Sequence, residues 1–284
     1  MVIDPLPAAV IREAAARALG EDMGPADITT LAVVDPTRKA RGRVFAKETG
    51  ILSGIVLADQ VFREVSPALK IRRELEDGDR LESGMTVLHL EGPAVAMLTG
   101  ERSALNFLQH LSGIASLTHR FVQAVSGTRC QILDTRKTIP GLRLLAKYAV
   151  RCGGGRNHRS GLYDAFMIKD NHVALMQHPG GLVEAIHQAR RFEPGAHLTV
   201  EADTIDQVCL IAEAGPDRIL LDNMDTPTLI AAVKLVQGRC QLEASGNMTL
   251  ERVAEVAATG VDFISVGALT HSAPALDFSL ELLL

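Results

Sequence analysis

The stretch LTVEADTIDQVCLIAEAGPDRILLD, residues 198–222, decides the fold. Its ends, Leu198-Thr199-Val200 and Arg218-Ile219-Leu220-Leu221, are apolar runs of strand length, and between them residues 205–214 place apolar side chains at helical intervals. Each run stops at a carboxylate, Glu201 and Asp222. The rhythm continues outward, with Gln131-Ile132-Leu133 and Ala165-Phe166-Met167-Ile168 before it and Gln241-Leu242-Glu243-Ala244 and Phe263-Ile264-Ser265-Val266 after it; residues 182–192 and 226–236 again read as helices. The polar ends are Arg136 with Lys137, Lys169, Glu201, Asp222, Ser245 with Gly246, and Gly267, separated by 33, 32, 21, 23 and 22 residues. Repeated βα units bury a parallel sheet under helices. Such a sheet either closes or stays open and doubly wound. A barrel is the expected form, because nearly every strand end presents an ionisable side chain or a glycine turn, where barrels collect their chemistry.

Residues 1 to about 110 have another texture. Asp4-Pro5 reads as a helix cap with proline at the first helical position, and Ile11, Ala15 and Leu19 share one helical face. Leu69–Leu75, with Arg73 as the exception, and Thr86–Leu90 alternate as strands around Asp77-Gly78-Asp79. That turn resembles those of lipoyl or biotinyl carriers, but it holds no lysine to carry a prosthetic group.

Charge locates the expected chemistry. From Arg136 to Lys169 eight Lys or Arg face a single acid, Asp164, a local charge of +7 in a chain whose net charge is −5. Concentrated cation in an acidic protein makes a focused anion site. Arg136, Arg159 and Lys169, with His158 beside them, suit a dicarboxylate, each charge-assisted bond contributing roughly 1.5–3 kcal/mol. Arg143, Lys147 and Arg151, four apart after Pro140, read instead as a solvated helix stripe. Glu201 and Asp222 beside a polyphosphate imply a magnesium ion or sugar hydroxyls between them, or pairing with the cluster's cations. Ser245-Gly246-Asn247 and the turn from Gly267 to His271 can aim backbone N–H groups at phosphate.

Other classes fit poorly. No apolar run approaches the roughly 18 residues of a membrane span. The opening is acidic and amphipathic, unlike a secretion signal. Four cysteines without CxxC spacing point to a reduced, cytoplasmic protein, and neither they nor the nine histidines have zinc spacing. The negative net charge, the few aromatics near the basic segment and the lack of a binding motif argue against nucleic acid.

Taken together, DTRKTIPGLR (134–143), KYAVRCGGGRNHRSGLYDAFMIKDNH (147–172), VEAD (200–203), LLDN (220–223), LEASGN (242–247) and DFISVGALTHS (262–272), with GEDMGPADITT (20–30) and LTGERSALNFLQHLSGIAS (98–116), resemble the quinolinate phosphoribosyltransferases. These are type II, decarboxylating pentosyltransferases of NAD biosynthesis. The resemblance implies an N-terminal α/β sandwich domain over 1–112, completed by 274–284, and a (βα) barrel of six or seven parallel strands over 113–273. It implies a homodimer at least, with a hexamer as the larger alternative, in which the sandwich domain of one subunit caps the barrel of the next. Carried over by motif, quinolinate falls to Arg102, donated across the dimer, and to Arg136, His158, Arg159 and Lys169. Phosphoribosyl pyrophosphate and Mg2+ fall to Lys137, Glu201 and Asp222, with phosphate turns at Ser245, Gly246, Gly267 and His271; the catalytic set is Lys137, Glu201, Asp222 and Lys169. Two positions depart from the pattern: Thr199 stands where a glutamate is frequent, sharing a strand side with Glu201 and so altering metal or hydroxyl contacts, and Ala202 replaces a valine. His158 has two readings, acid or orienting donor. The alternative functions are the molybdenum-transport-associated paralogue and a non-decarboxylating nicotinate phosphoribosyltransferase, against which Asn157-His158-Arg159 and Lys169-Asp170-Asn171-His172 stand.

Overall fold

Helix α1 (Ala8–Met23) opens the chain, followed by α2 (Ile28–Val33), β1 (Lys39–Ala46), β2 (Gly50–Ile51), α3 (Ile55–Val65), β3 (Lys70–Arg73), β4 (Arg80–Leu81), β5 (Thr86–Pro93) and α4 (Ala94–Ala124). Next come β6 (Gln131–Leu133), α5 (Arg143–Cys152), β7 (Phe166–Ile168), α6 (Asp170–Ala174), α7 (Gly181–Phe192), β8 (Leu198–Ala202) and α8 (Ile205–Ala214). The chain ends with β9 (Arg218–Asp222), α9 (Thr226–Val236), β10 (Gln241–Ser245), α10 (Leu250–Ala258), β11 (Phe263–Ser265), α11 (Ala268–His271) and β12 (Phe278–Leu283). This computed structural model describes residues 3–176 and 181–283; the outermost residues of the expected N-terminal domain and its completing segment, 1, 2 and 284, lie outside them.

Two compact units result. The first holds residues up to His119, the segment Leu144–Gly154 and the chain from Ser272 on; the second holds Arg120–Arg143 and Gly155–His271. Helix α5 thus lies in sequence between barrel strands but packs with the first unit.

In the first unit an antiparallel sheet of order β12-β1-β5-β3 is built from strands such as β1, whose buried positions alternate as its sequence does. The C-terminal β12 pairs with β1, Arg41 opposite Leu283 and Ala46 opposite Phe278. Against this sheet α3 buries Ile55, Ala58, Val61 and Phe62 completely. The turn that resembled a carrier's serves α3: Asp77 accepts the Ile55 N–H at 2.9 Å and the Tyr148 hydroxyl at 2.8 Å. Burial outweighs those donors and raises the Asp77 pKa to about 6.

The second unit is a six-stranded parallel sheet of order β6-β11-β10-β9-β8-β7. Successive strands are neighbours and the last strand pairs with the first, Ile264 beside Ile132, so the sheet curls as a barrel does; a doubly wound sheet would reverse its strand order. No ladder joins β6 to β7 among the described residues. A single parallel bridge, Leu133 to Arg156, lies outside the named strands. Helix starts are well signalled: Thr204 and Gln207 form a capping box on α8, and Asp225 caps α9 ahead of Pro227.

Three expectations are corrected. Helix α1 begins at Ala8 behind Pro7, without a side-chain cap, because Pro7 pushes Leu6 out of the helical region and leaves Asp4-Pro5 outside. The stripe on α5 is solvated only in part: Arg143 and Arg151 are half-buried and Lys147 is 2% exposed, since Leu145, Ala146, Tyr148, Ala149 and Val150 around it are buried as well. Thr199 is 1% exposed inside the barrel, beside Met167 and Arg218 in the ladders, and does not reach the cavity described below.

Candidate active site

Strand ends build the site, as parallel barrels require. After β6, Lys137 donates its N–H to Thr135 Oγ1 at 3.0 Å, and Thr270 Oγ1 donates to Lys137 O at 2.8 Å, tying this loop to α11. Asp134, with no exposed surface, accepts from Asn157 Nδ2 at 2.6 Å and from the His158 N–H at 2.8 Å. Arg143 donates to Thr138 Oγ1 and to Ser160 O, both at 3.1 Å, bracing the loops that carry Arg136 and Arg159. The basic segment therefore includes cations, such as Arg143, that hold the loops.

At the C-terminal ends of the strands lies a cavity of 580 Å³. Arg136, Lys137, His158, Arg159, Lys169, Glu201, Asp222, Ser245 and Gly246 line it, so most of the expected residues are brought together. Burial, and then the neighbouring Arg136, lower the Arg159 pKa from its ordinary value. A guanidinium held beside a second one favours an anion between them. Lys169 Nζ contacts Glu201 Oε2 at 2.8 Å, so one cavity acid does pair with a cluster cation. Asp222 has no such cation among the described residues; Asn223 Nδ2 donates to it at 2.7 Å.

The turn after β10, expected to hold phosphate, is sterically strict. Gly246 has φ +93°, and a Cβ there would overlap the Asn223 side-chain amide, which itself sits at φ 53°. Asn223 donates its N–H to Ser245 O at 3.0 Å, so the ends of β9 and β10 are locked together.

Oxygen ligands from Glu201, Asp203 and Asp222 lie within 4.8 Å of one another. Three carboxylates at strand ends fit a hard divalent cation such as Mg2+, which takes oxygen donors.

Gly267 and His271 do not line the cavity but adjoin it: a Cβ on Gly267 would stand 3.1 Å from Lys137 Cδ and 3.2 Å from His271 Nε2. Arg102 is an exposed residue of α4 in the first unit. Cavity residues not anticipated are Thr135, Met167, Leu220, Asn223, Glu243 and Ser265. Strand alternation carried a signal for Glu243, since it shares a side of β10 with Ser245. Asp203 stood two residues past Glu201.

The C-terminal domain model of quinolinate phosphoribosyl transferase matches residues 114–281 and its N-terminal domain model residues 27–112. The nicotinate-nucleotide pyrophosphorylase [carboxylating] of Mycobacterium leprae is 43% identical, covering 95% of this chain and 96% of its own. The chloroplastic enzyme of that name from Arabidopsis thaliana is 43% identical over 93% of this chain and 80% of its own. The solved nicotinate-nucleotide pyrophosphorylase of Francisella tularensis superposes with a TM-score of 0.95 at 36% identity, covering 100% of this chain and 99% of that one. By its sequence, its fold and the convergence of its strand-end charges on one cavity, the chain belongs to the quinolinate phosphoribosyl transferase family.

Proposed function

We infer that the chain is a decarboxylating quinolinate phosphoribosyltransferase, making nicotinate mononucleotide, pyrophosphate and CO2 from quinolinate and phosphoribosyl pyrophosphate in NAD biosynthesis. The observation that carries the reading is the cavity in which Arg136 and Arg159 crowd together while Glu201 and Asp222 face them. A pyridine dianion needs the first pair, and a ribose that gains positive charge as its pyrophosphate departs needs the second.

The residues divide the work accordingly. Arg136, Arg159 and Lys169 hold the two carboxylates; Arg102 of a neighbouring subunit adds a further cation. Lys137, with Ser245, Gly246, Gly267 and His271 around it, holds the phosphates. Quinolinate nitrogen bonds to C1′ as the bond from C1′ to the pyrophosphate oxygen breaks, and Glu201 and Asp222 offset the positive charge that develops on the ribose. With the ring nitrogen quaternary, the bond from C2 to its carboxylate breaks; the electron pair stays at C2 beside that charge until a proton from solvent takes it up. Mg2+ held by Glu201, Asp203 and Asp222 would neutralise charge on the departing pyrophosphate.

The working form is a homodimer at least. Exposed Ile28, Leu31 and Val33 on α2 offer apolar surface for such an assembly, and Arg102 lies on the surface as a donated residue must. Four free cysteines suit the reducing cytoplasm, and no helix among the described residues is long and apolar enough to cross a membrane.

Measuring CO2 release with quinolinate, phosphoribosyl pyrophosphate and Mg2+, omitting each in turn, tests the reaction. Release that survives omission of any one, or nicotinate used in preference to quinolinate, overturns it. Mixing Arg102→Ala with Lys137→Ala subunits tests the assembly: shared sites restore activity that neither variant has alone, and no recovery after confirmed mixing removes the donated arginine.

A further inference from the structure

We propose that Glu243, held by Arg218, is a positioning residue that acts through His158 on Arg159. The inference rests on the reading of the cavity as a quinolinate site and deepens it.

Glu243 lies on β10 with no exposed surface, yet its side chain borders a cavity built for anions. A carboxylate there is disfavoured twice, by lost hydration and by repulsion from the substrate. Its retention calls for a job. Two groups converge on its Oε2: Arg218 Nη1 at 2.9 Å and His158 Nε2 at 3.3 Å. Arg218 is fixed in turn, its guanidinium 4.1 Å from the centre of the Phe263 ring and its Nη2 donating to Gln241 Oε1 at 3.4 Å. Burial pushes the Glu243 pKa up, but His158 and then Arg218 more than offset it and leave the pKa lowered, so the group is a carboxylate.

His158 transmits this anchor. Its Nδ1 accepts the Arg159 N–H at 2.7 Å, so Nδ1 carries no proton and the ring proton sits on Nε2, on the side of Glu243. Both nitrogens face protein groups, and the imidazole works as a strut. Beyond it the Arg159 guanidinium donates to Ala165 O at 3.1 Å, beside Arg136. The Arg218, Glu243, His158 and Arg159 series therefore fixes where one carboxylate anchor stands. Asp134 holds the same loop from β6 through the His158 N–H.

A merely structural ion pair behaves differently, because apolar residues of similar volume replace such pairs with little loss. The test compares Glu243→Gln, the apolar pair Arg218→Met with Glu243→Leu, His158→Ala, and His158→Ala combined with Glu243→Gln, following CO2 release, thermal melting and imidazole 15N signals. Glu243→Gln should raise KM for quinolinate about 10–100-fold while that for phosphoribosyl pyrophosphate stays within about twofold. The apolar pair should melt near wild type and still show the raised quinolinate KM. In the His158→Ala background Glu243→Gln should add less than about twofold. An apolar pair that regains quinolinate KM, or a Glu243→Gln effect that multiplies independently of His158, overturns the proposal. The 15N spectrum separates it from the parent reading. A wild-type enzyme that releases no CO2 sinks the quinolinate assignment alone, whereas a His158 Nε2 signal that does not shift between wild type and Glu243→Gln sinks the relay alone.

Discussion

The barrel has a cavity at each end, and the larger is not the one on which the strand-end cations and carboxylates converge. The cavity at the N-terminal strand ends measures 870 Å³ and is lined by Arg129, His197, Asp217, Arg239, Gln241 and Asp262 among others, against 580 Å³ at the C-terminal ends. Charge bookkeeping separates them. At the N-terminal end the carboxylates are used up: Asp217 accepts from the Leu198 N–H at 2.7 Å and from Arg190 at 2.8 Å, and Asp262 accepts from the Leu242 N–H at 2.8 Å with Arg129 3.4 Å away. These groups start strands. At the C-terminal end Arg136 and Arg159 crowd each other, and Asp222 has no cationic partner among the described residues. Size finds a hollow; uncompensated charge at strand ends finds a site.

Substitutions at the two ends sharpen or break that contrast. The largest effect is expected from Lys137→Ala, which should cut turnover with saturating phosphoribosyl pyrophosphate on the order of 100- to 1,000-fold by removing a charge at the leaving group. Steady-state kinetics check it, and a loss below about tenfold would take Lys137 out of the chemistry. Arg136→Ala should weaken quinolinate by about 1.5–3 kcal/mol, roughly 10- to 150-fold in KM, with less effect on turnover. Equal small effects of both variants would dissolve the division between the carboxylate and phosphate ends.

Gly246→Ala comes next. A side chain at φ +93° against Asn223 should cost about 1–3 kcal/mol of stability and raise KM for phosphoribosyl pyrophosphate, since Asn223 donates to Asp222. Melting together with KM reads both, and an unchanged KM would free the turn from substrate. The smallest effect belongs to the opposite end: Asp217→Asn should lose about 0.5–1.5 kcal/mol and leave kcat/KM unaltered. Burial works against the Asp217 charge, but the Leu198 N–H and Arg190 prevail and lower its pKa. A depressed carboxylate contributes stability that is full above its unfolded pKa and is lost as pH falls through the folded one, so below about pH 4 the gap between wild type and Asp217→Asn should close. Thermal melts against pH measure this, and a kcat/KM that fell as with Lys137→Ala would break the contrast between the ends.

Much of the site was legible because a barrel converts sequence order into spatial order. Once Glu201, Asp222 and Ser245 are recognised as strand ends at regular spacing, their convergence follows from topology. Residues whose role depends on a partner far along the chain were not legible. Glu243 sits inside an apolar run and gains meaning only from Arg218 and His158, 25 and 85 residues away. Lys147 looked solvated because four-residue spacing names a helix face without saying what covers it. Thr199 shares its strand side with Glu201 but lies inside the barrel, and depth along a strand is not written in alternation.

By itself the amino-acid sequence determined the βα rhythm, the approximate boundaries of the barrel strands and of three barrel helices, and which strand ends carry cations and which carboxylates. These follow from local periodicity and from the loops that βα connection forces onto one rim. Tertiary structure alone decided which cations face the cavity and which brace its loops, as with Arg143, and that a buried carboxylate stands beneath an anion site. The reason is that hydration and Coulomb energies depend on distances between residues remote in the chain, which exist only once the strands have closed around them.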